Sequence, residues 1–321
     1  MPKVFVTRLI PDAGIKMLRE KGFEVEVSDV DGVMLREQLL QKVKGVDAIL
    51  SLLTDKMDGE LMDAAGPQLK IIANYAVGYD NMDVKAAAER NVIMTNTPGV
   101  LTESVAEHAI ALMFAIARKV VESDQFMRDG KFHGWAPMMY LGNDLVGKTL
   151  GLVGFGRIGA AVAKRMHDGF EMKVVYYDQK RNEELEKQYG MEYKDLDTLL
   201  KESDFVSVHV PSTPETKHLI NAERLKMMKP TAYLVNTARG PVVDEAALVE
   251  ALKNGVIRGA GLDVYEQEPK MAPGLAELPN TVLTPHTASA TEETRGAMSE
   301  LAAKNIIAVL SGEAPITQIK I

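Results

Sequence analysis

No cysteine occurs among the 321 residues, which removes disulfides, thiolate nucleophiles and cysteine-based metal sites together. Aromatics are scarce, at 6% with a single tryptophan, so the cores must be built from Val, Ile, Leu, Ala and 18 methionines. Basic charge is in deficit: 37 Lys and Arg against 45 Asp and Glu leave a formal charge of −8. No basic face therefore offers itself to nucleic acid or anionic lipid. No run approaches the roughly 18 apolar residues that a membrane span needs. The N-terminus, MPKVFVTRLIPDAG, enters an apolar strand without the basic and apolar stretches of a secretory signal. A cytoplasmic location is the expectation. HExxH and clustered His and carboxylate spacings are missing too, so no catalytic metal is expected.

What is present, 46% hydrophobic and 26% charged residues, describes a soluble globular α/β protein, and the length favours two domains. Residues 1 to 99 alternate strand and helix five times (KVFVT, FEVEVSD, VDAILSL, LKIIANYA and NVIMTNT as the strands), which demands a parallel sheet with helical crossovers. Thr102 to Lys119 is longer and more apolar and reads as a buried helix with Thr102 as its N-cap. A loop, DGKFHGWAPMMYLGNDLVGK, precedes a second series of strands: GLVGF, KVVYYD, MEYK, FVSVHV, AYLVNT, GAGLDV and TVLTPH. From Thr291 to about Ser311 the pattern is helical again, which suggests that the chain returns to its first domain. The fold class expected is α/β, with two doubly wound parallel-sheet domains.

Gly154-Phe155-Gly156-Arg157-Ile158-Gly159 follows the strand Leu150 to Val153 and opens a helix, the context that a dinucleotide fingerprint requires. Gly154 permits the tight turn, Gly156 lets backbone approach a pyrophosphate, and Gly159 packs helix on strand. Asp178, nineteen residues beyond Gly159 at the end of KVVYYD, is placed to accept hydrogen bonds from the adenosine ribose hydroxyls. Lys180 and Arg181 could hold a 2′-phosphate, yet Asp178 would repel it. The cofactor expected is NAD, with NADP as the alternative.

Three later strands each hand over an ionisable residue at the carboxyl end: Arg239 after AYLVNTA, Glu268 after GAGLDVYEQ and His286 after TVLTP. Ligands of open α/β sheets sit outside those strand ends, so the three should converge. Beside a nicotinamide they suit hydride transfer to a carbonyl, where His286 donates a proton and Glu268 favours its charged form. Arg239 can bond the carboxylate and keto oxygen of a 2-oxo acid. Backbone donors for that carboxylate are expected at the turn containing Val77 and Gly78, with Leu52 as a further pocket residue, while Trp135 and the run Met138-Met139-Tyr140 read on their own as loop packing. Among the other histidines, His209 more plausibly shapes the cofactor wall than performs chemistry. His108, lying in an apolar helix, and His133, His167 and His218 read as structural or surface residues.

Over essentially its full length the chain resembles the D-isomer-specific 2-hydroxyacid dehydrogenases, in particular the glyoxylate/hydroxypyruvate reductase branch. The resemblance rests on NYAVGYDNMD at 74–83, TNTPGVLTESVAEHAIAL at 95–112, GKTLGLVGFGRIG at 147–159, HVPSTPETKHLI at 209–220, VNTARGPVVDE at 235–245, GLDVYEQEP at 261–269 and TPHTASAT at 284–291. It implies that Arg239 polarises substrate, Glu268 orients and charges the histidine, and His286 is the acid/base. It further implies that Val77 and Gly78 present N–H groups to the carboxylate. Arg157, Ile158, Asp178, His209, Val210, Pro211, Thr216, Thr237, Ala238 and Asp263 are implied to line the cofactor. Residues 1–99 plus 287–321 would form a flavodoxin-like substrate domain and 100–286 a Rossmann NAD-binding domain, with a homodimer formed through the latter. Related reductases extend a Trp loop toward the neighbouring subunit's pocket, which points to Trp135.

The chain departs from this pattern in two places. His286-Thr287-Ala288-Ser289 stands where members commonly carry His-Ile-Gly-Ser, and a Cβ at Ala288 restricts φ near the nicotinamide carboxamide. Asp178-Gln179 stands where NADP-preferring members often carry Ser-Arg, which favours NAD. The expected reaction is reduction of glyoxylate or hydroxypyruvate. The alternative within the fold is 3-phosphoglycerate dehydrogenase, although the 49–55 segment holds no Arg for a phosphate and no regulatory extension is expected beyond Ile321. The alternative of another class is an NAD-sensing binding protein like the C-terminal binding protein corepressors.

Overall fold

The computed structural model describes residues 1–30 and 32–320. The chain forms two compact units, Met1–Leu101 with Ala290–Ile321 and Thr102–Ser289. In the first, β1 (Lys3–Val6), α1 (Asp12–Glu20), β2 (Glu24–Val27), α2 (Arg36–Lys42), β3 (Ala48–Ser51), α3 (Gly59–Ala65), β4 (Ile71–Asn74), α4 (Val84–Glu89) and β5 (Ile93–Thr95) follow one another. The sheet is wholly parallel in the order β2-β1-β3-β4-β5. Central strands β3 and β4 are buried at every position, the consequence of helices on both faces. Edge strand β2, Glu24-Val25-Glu26-Val27, alternates exposed and half-buried residues. Asp58 and Asp83 cap α3 and α4 by accepting from Leu61 N–H and Ala86 N–H.

The second unit begins with α5 (Thr102–Ala117) and α6 (Val120–Arg128). The alternating series follows: β6 (Thr149–Val153), α7 (Arg157–Phe170), β7 (Lys173–Tyr177), α8 (Glu183–Tyr189), β8 (Glu192–Tyr193), α9 (Leu196–Glu202) and β9 (Phe205–Val208). It ends with α10 (Ala222–Met227), β10 (Tyr233–Asn236), α11 (Glu245–Lys253), β11 (Gly259–Leu262) and β12 (Thr281–Leu283). Seven parallel strands run β12-β11-β10-β9-β6-β7-β8. Side chains alternate between two cores: Leu150 and Leu152 face one with Phe205 and Val235, while Val153, Val206 and Leu234 face the other.

Two details differ from the sequence expectation. Thr102 is the first residue of α5 rather than its cap. The helix stops at Ala117, Lys119 takes a left-handed conformation (φ +53°), and α6 follows where no helix was expected. None of the α6 residues is buried, so no core-facing stripe marked it in the sequence.

The last helix, α12 (Glu292–Leu310), belongs to the first unit and packs along α1. Gly14 comes so close that a Cβ there would lie 2.1 Å from the Ser299 carbonyl oxygen, and its N–H donates to Ser299 Oγ at 3.1 Å. Buried Asn305 accepts from Ile316 N–H and Thr317 N–H and so holds the C-terminal tail.

Candidate active site

The strand order of the second unit reverses between β6 and β9, where the carboxyl ends of an open α/β sheet leave a crevice. The glycine loop enters that crevice. Gly154 has φ +102°, and a Cβ on it would lie 2.7 Å from the His209 carbonyl carbon at the end of β9. A Cβ on Gly159 would lie 2.3 Å from the Gly154 carbonyl oxygen, whereas nothing stands within 4 Å of one on Gly156, the N-cap of α7. Two glycines thus serve close packing, and the third leaves an open approach to a helix N-terminus, suited to a pyrophosphate. Arg157 is exposed and Ile158 half-buried in the first turn of α7.

Around this loop the remaining groups fit a dinucleotide. Asp178 accepts from Phe155 N–H at 2.7 Å through Oδ2, which ties the end of β7 to the glycine loop. Burial pushes the His209 imidazole down to about 4, so the ring is neutral, with Nε2 2.9 Å from Ser207 Oγ. Val210 is half-buried and Pro211 exposed, and the Thr216 hydroxyl donates to the Pro211 carbonyl at 2.6 Å, closing the loop after β9. Thr237 is buried with no partner for its Oγ1, an orphaned hydroxyl of the kind a bound group satisfies. Ala238 beside it is half-buried.

Strands β10, β11 and β12 lie side by side and bring Arg239, Glu268 and His286 to one end of the sheet. Buried Asn236 shapes the first turn, donating to the Arg239 carbonyl at 3.0 Å and accepting from Ala238 N–H at 3.0 Å. The Arg239 guanidinium donates to the Ala238 carbonyl at 2.7 Å. Buried Glu245 braces the loop that carries Glu268, accepting from Glu266 N–H and Ala272 N–H at 2.7 Å each. Glu268 accepts from Tyr265 N–H through Oε1, and its Oε2 lies 2.9 Å from His286 Nδ1. Burial alone would raise the Glu268 carboxyl. The hydrogen bond and charge of His286, the Tyr265 N–H and the charge of Arg239 together hold it below the usual range.

Asp263 performs a role that sequence reasoning missed. Expected to line the cofactor, it is fully buried, and its oxygens accept from Thr284 Oγ1, Thr287 N–H and Ala288 N–H. His108 on α5 joins this cluster, with Nε2 3.0 Å from Thr284 Oγ1 and 3.4 Å from Asp263; it stands in a polar network and not the apolar setting expected of it. Burial favours the neutral Asp263 acid, but His108, Thr284 and the two amides bring its carboxyl below the ordinary value. The His286 N–H donates to the Asp263 carbonyl at 2.9 Å, so main chain and side chain of Asp263 together hold the His286 turn. Ala288, at the glycine position of the resemblance, is buried without a positive φ; His286 itself takes the left-handed conformation, φ +55°. His218 pairs with Glu266 at 2.7 Å and holds the neighbouring loop.

In the first unit, Leu52 follows β3 half-buried, its N–H donating to Asp55 at 2.9 Å. The Val77 carbonyl accepts from Asn96 and the Gly78 carbonyl from Asn74, which fixes the turn after β4. Arg8, just past β1, donates to Thr54 Oγ1 at 3.2 Å. It brings a cation to the 49–55 segment, the end of β3 and the turn after it, which itself contains none, at the point where this sheet reverses its order. Trp135 lies 82% exposed in the loop after α6. Among the described residues no helix is long and apolar enough to cross a membrane.

A family model described as the NAD-binding domain of D-isomer specific 2-hydroxyacid dehydrogenases matches residues 110–288. The chain is 55% identical over 318 residues to a glyoxylate reductase of Thermococcus litoralis, covering 98% of this chain and 95% of that protein. A crystal structure of a Thermus thermophilus protein superposes with a TM-score of 0.93 at 47% identity, covering 99% of this chain and 100% of that one. The NADPH-dependent glyoxylate/hydroxypyruvate reductase of Sinorhizobium meliloti, solved with NADP and malonate, superposes with a TM-score of 0.86 at 38% identity, covering 99% and 96%.

Proposed function

Because the chain belongs to the D-isomer specific 2-hydroxyacid dehydrogenases, NAD(P)-dependent enzymes acting between 2-oxo and 2-hydroxy acids, we propose that it reduces glyoxylate and hydroxypyruvate with NADH. The observation that carries this reading is the His286 and Glu268 pair, 2.9 Å apart at a strand end of the dinucleotide-binding sheet. A bound nicotinamide supplies the hydride. Negative charge then gathers on the former carbonyl oxygen, and a proton must meet it. Glu268, held ionised, engages His286 at Nδ1 and leaves Nε2 as the donating atom. Arg239 polarises the keto group and bonds the carboxylate.

In this reading residues 1–99 with 287–321 serve the substrate and 100–286 the cofactor. The Asp178 carboxylate rewards a free 2′-hydroxyl, hence NADH. A homodimer is part of the proposal, supported by the apolar surface from α6 through Val146, where Val121, Phe132, Trp135 and Met138 are all exposed. So is a cytoplasmic location.

The test is nicotinamide absorbance followed with NADH and NADPH against glyoxylate, hydroxypyruvate, 3-phosphohydroxypyruvate and 2-oxoglutarate. The two small acids should show the higher kcat/KM. A second buried anion costs several kcal/mol without a partner. Preference for a dianion would point instead to Arg8 as an anion contact and to a phosphoglycerate-type enzyme, and absence of turnover would favour a nucleotide-sensing protein.

A further inference from the structure

Two cations follow Asp178 at the end of β7, and position alone makes both Lys180 and Arg181 candidates for a 2′-phosphate. Arg181 is already engaged. Its Nε donates to Glu186 Oε1 and its Nη2 to Glu186 Oε2, each at 2.8 Å, a bidentate pair that spends the planar fork on one carboxylate. Glu186 is fixed from behind: the Tyr176 hydroxyl donates to Oε1 at 2.6 Å and accepts from Asn182 N–H at 2.9 Å. Tyr176 is fully buried, and its ring stacks on Phe155 of the glycine loop with centroids 4.1 Å apart. On the other side the Arg181 guanidinium lies 5.9 Å from the centre of the Tyr193 ring. The Glu186 side chain is 12% exposed and that of Arg181 56%, so the acid is the anchor and the base the captive. The hydrogen bonds from Arg181 and then Tyr176 hold the Glu186 carboxyl down to about 2, which keeps the clamp ionised at any physiological pH.

We propose that Glu186 is a positioning residue for cofactor choice: it ties Arg181 to α8, so that a 2′-phosphate meets the Asp178 carboxylate without the guanidinium that would offset it. The inference rests on the proposed preference for NADH and adds its second half. Asp178 disfavours the phosphate, and Glu186 withholds the residue best suited to bind it. The acid lies eight positions beyond Asp178, outside the strand end where cofactor choice is usually read.

Calorimetric titration of NADH, NADPH and the fragment 2′,5′-ADP into wild type, Glu186→Gln, Arg181→Ala and the double variant tests this. Glu186→Gln should tighten NADPH and 2′,5′-ADP by about three- to tenfold, the range of one partly exposed charge-assisted contact, with NADH within about twofold. Arg181→Ala alone should leave NADPH unchanged, and the double variant should lose the gain. Equal weakening of both cofactors in Glu186→Gln, or a gain that survives in the double variant, overturns the proposal. Should Glu186→Gln fold poorly, Glu186→Asp retains the charge but is too short for the bidentate grip, and the same selective gain is expected. Failure of the NADH reading shows separately, as wild type binding NADPH more tightly. In that event the clamp stands if Arg181→Ala leaves NADPH affinity unchanged and falls if it weakens it.

Discussion

His286 Nδ1 lies 2.9 Å from Glu268 Oε2, and the imidazole reaches that carboxylate from a left-handed backbone with φ +55°. The conformation is disfavoured for a residue with a Cβ, by roughly 1–2 kcal/mol. It is secured by the hydrogen bonds from His286, Thr287 and Ala288 N–H to Asp263. The ring's orientation is therefore set by its own turn and by the carboxylate that its Nδ1 meets.

Replacing Glu268 with Gln keeps the shape of that contact and removes its charge. Burial would raise the Glu268 carboxyl, but the hydrogen bond and charge of His286 hold it below the ordinary range, so the carboxylate stays ionised into acid pH. Glu268→Gln should therefore slow 2-oxo acid reduction at neutral pH and remove from kcat/KM the loss that protonation of this carboxyl brings on the acid side, with the thermal unfolding transition retained. A pH profile of kcat/KM identical to wild type would show that the ionisation of Glu268 plays no part in the reaction.

His286→Ala removes the proposed proton donor outright. Reduction should slow by about two to four orders of magnitude, the usual contribution of general acid catalysis. NADH affinity measured by titration should persist, because the glycine loop, Asp178 and Thr237 are untouched. A loss of cofactor binding of similar size would mean that the histidine acts through the dinucleotide site.

Asp263 makes stability depend on pH. Its folded-state carboxyl lies below the ordinary value, so its contribution is complete above the ordinary carboxylate range, near 4, and is lost as pH falls through the folded value. Asp263→Asn should lower stability at neutral pH by about 2–3 kcal/mol, roughly 4–12 °C in Tm for a domain of this size. It should also flatten the fall of Tm on acidification below about pH 4. Parallel curves for wild type and variant would remove Asp263 from the acid-sensitive set.

Strand ends are the part of this molecule that its sequence displays best. Arg239, Glu268 and His286 each follow an apolar run, and runs of that kind become β10, β11 and β12, neighbours in one sheet. The glycine loop is equally local, since the packing demands on Gly154 and Gly159 arise within a strand, turn and helix. What stays hidden depends on distance along the chain. His108 meets Thr284 across 176 positions and Arg8 meets Thr54 across 46, and no periodicity announces either meeting. Arg181 was hidden for a different reason: its partner is close in sequence, but only the geometry of α8 and Tyr176 shows that the cation is taken. The helix α6 escaped because it buries nothing, so it carries no inward stripe.

That unburied helix leads to the last prediction. Val120, Val121 and Met127 of α6 and Phe132, Trp135, Met138 and Leu141 after it expose apolar side chains along one continuous stretch, with Trp135 at 82% and Met138 at 77%. Soluble monomers seldom show so much apolar surface together. A second copy of the chain would cover it, and a stable interface of this kind buries about 1,200–2,000 Å². Light scattering should accordingly give twice the 35.1 kDa chain mass. Met138→Glu or Val121→Glu should return the mass to that of one chain, because a carboxylate buried against a second apolar surface loses its water without gaining a partner. Trp135, the sole tryptophan, reports the same event: its emission should shift to the red on dilution of wild type and be red-shifted at all concentrations in the variants. A wild-type chain that scatters as a monomer at every concentration would mean that this surface has another use.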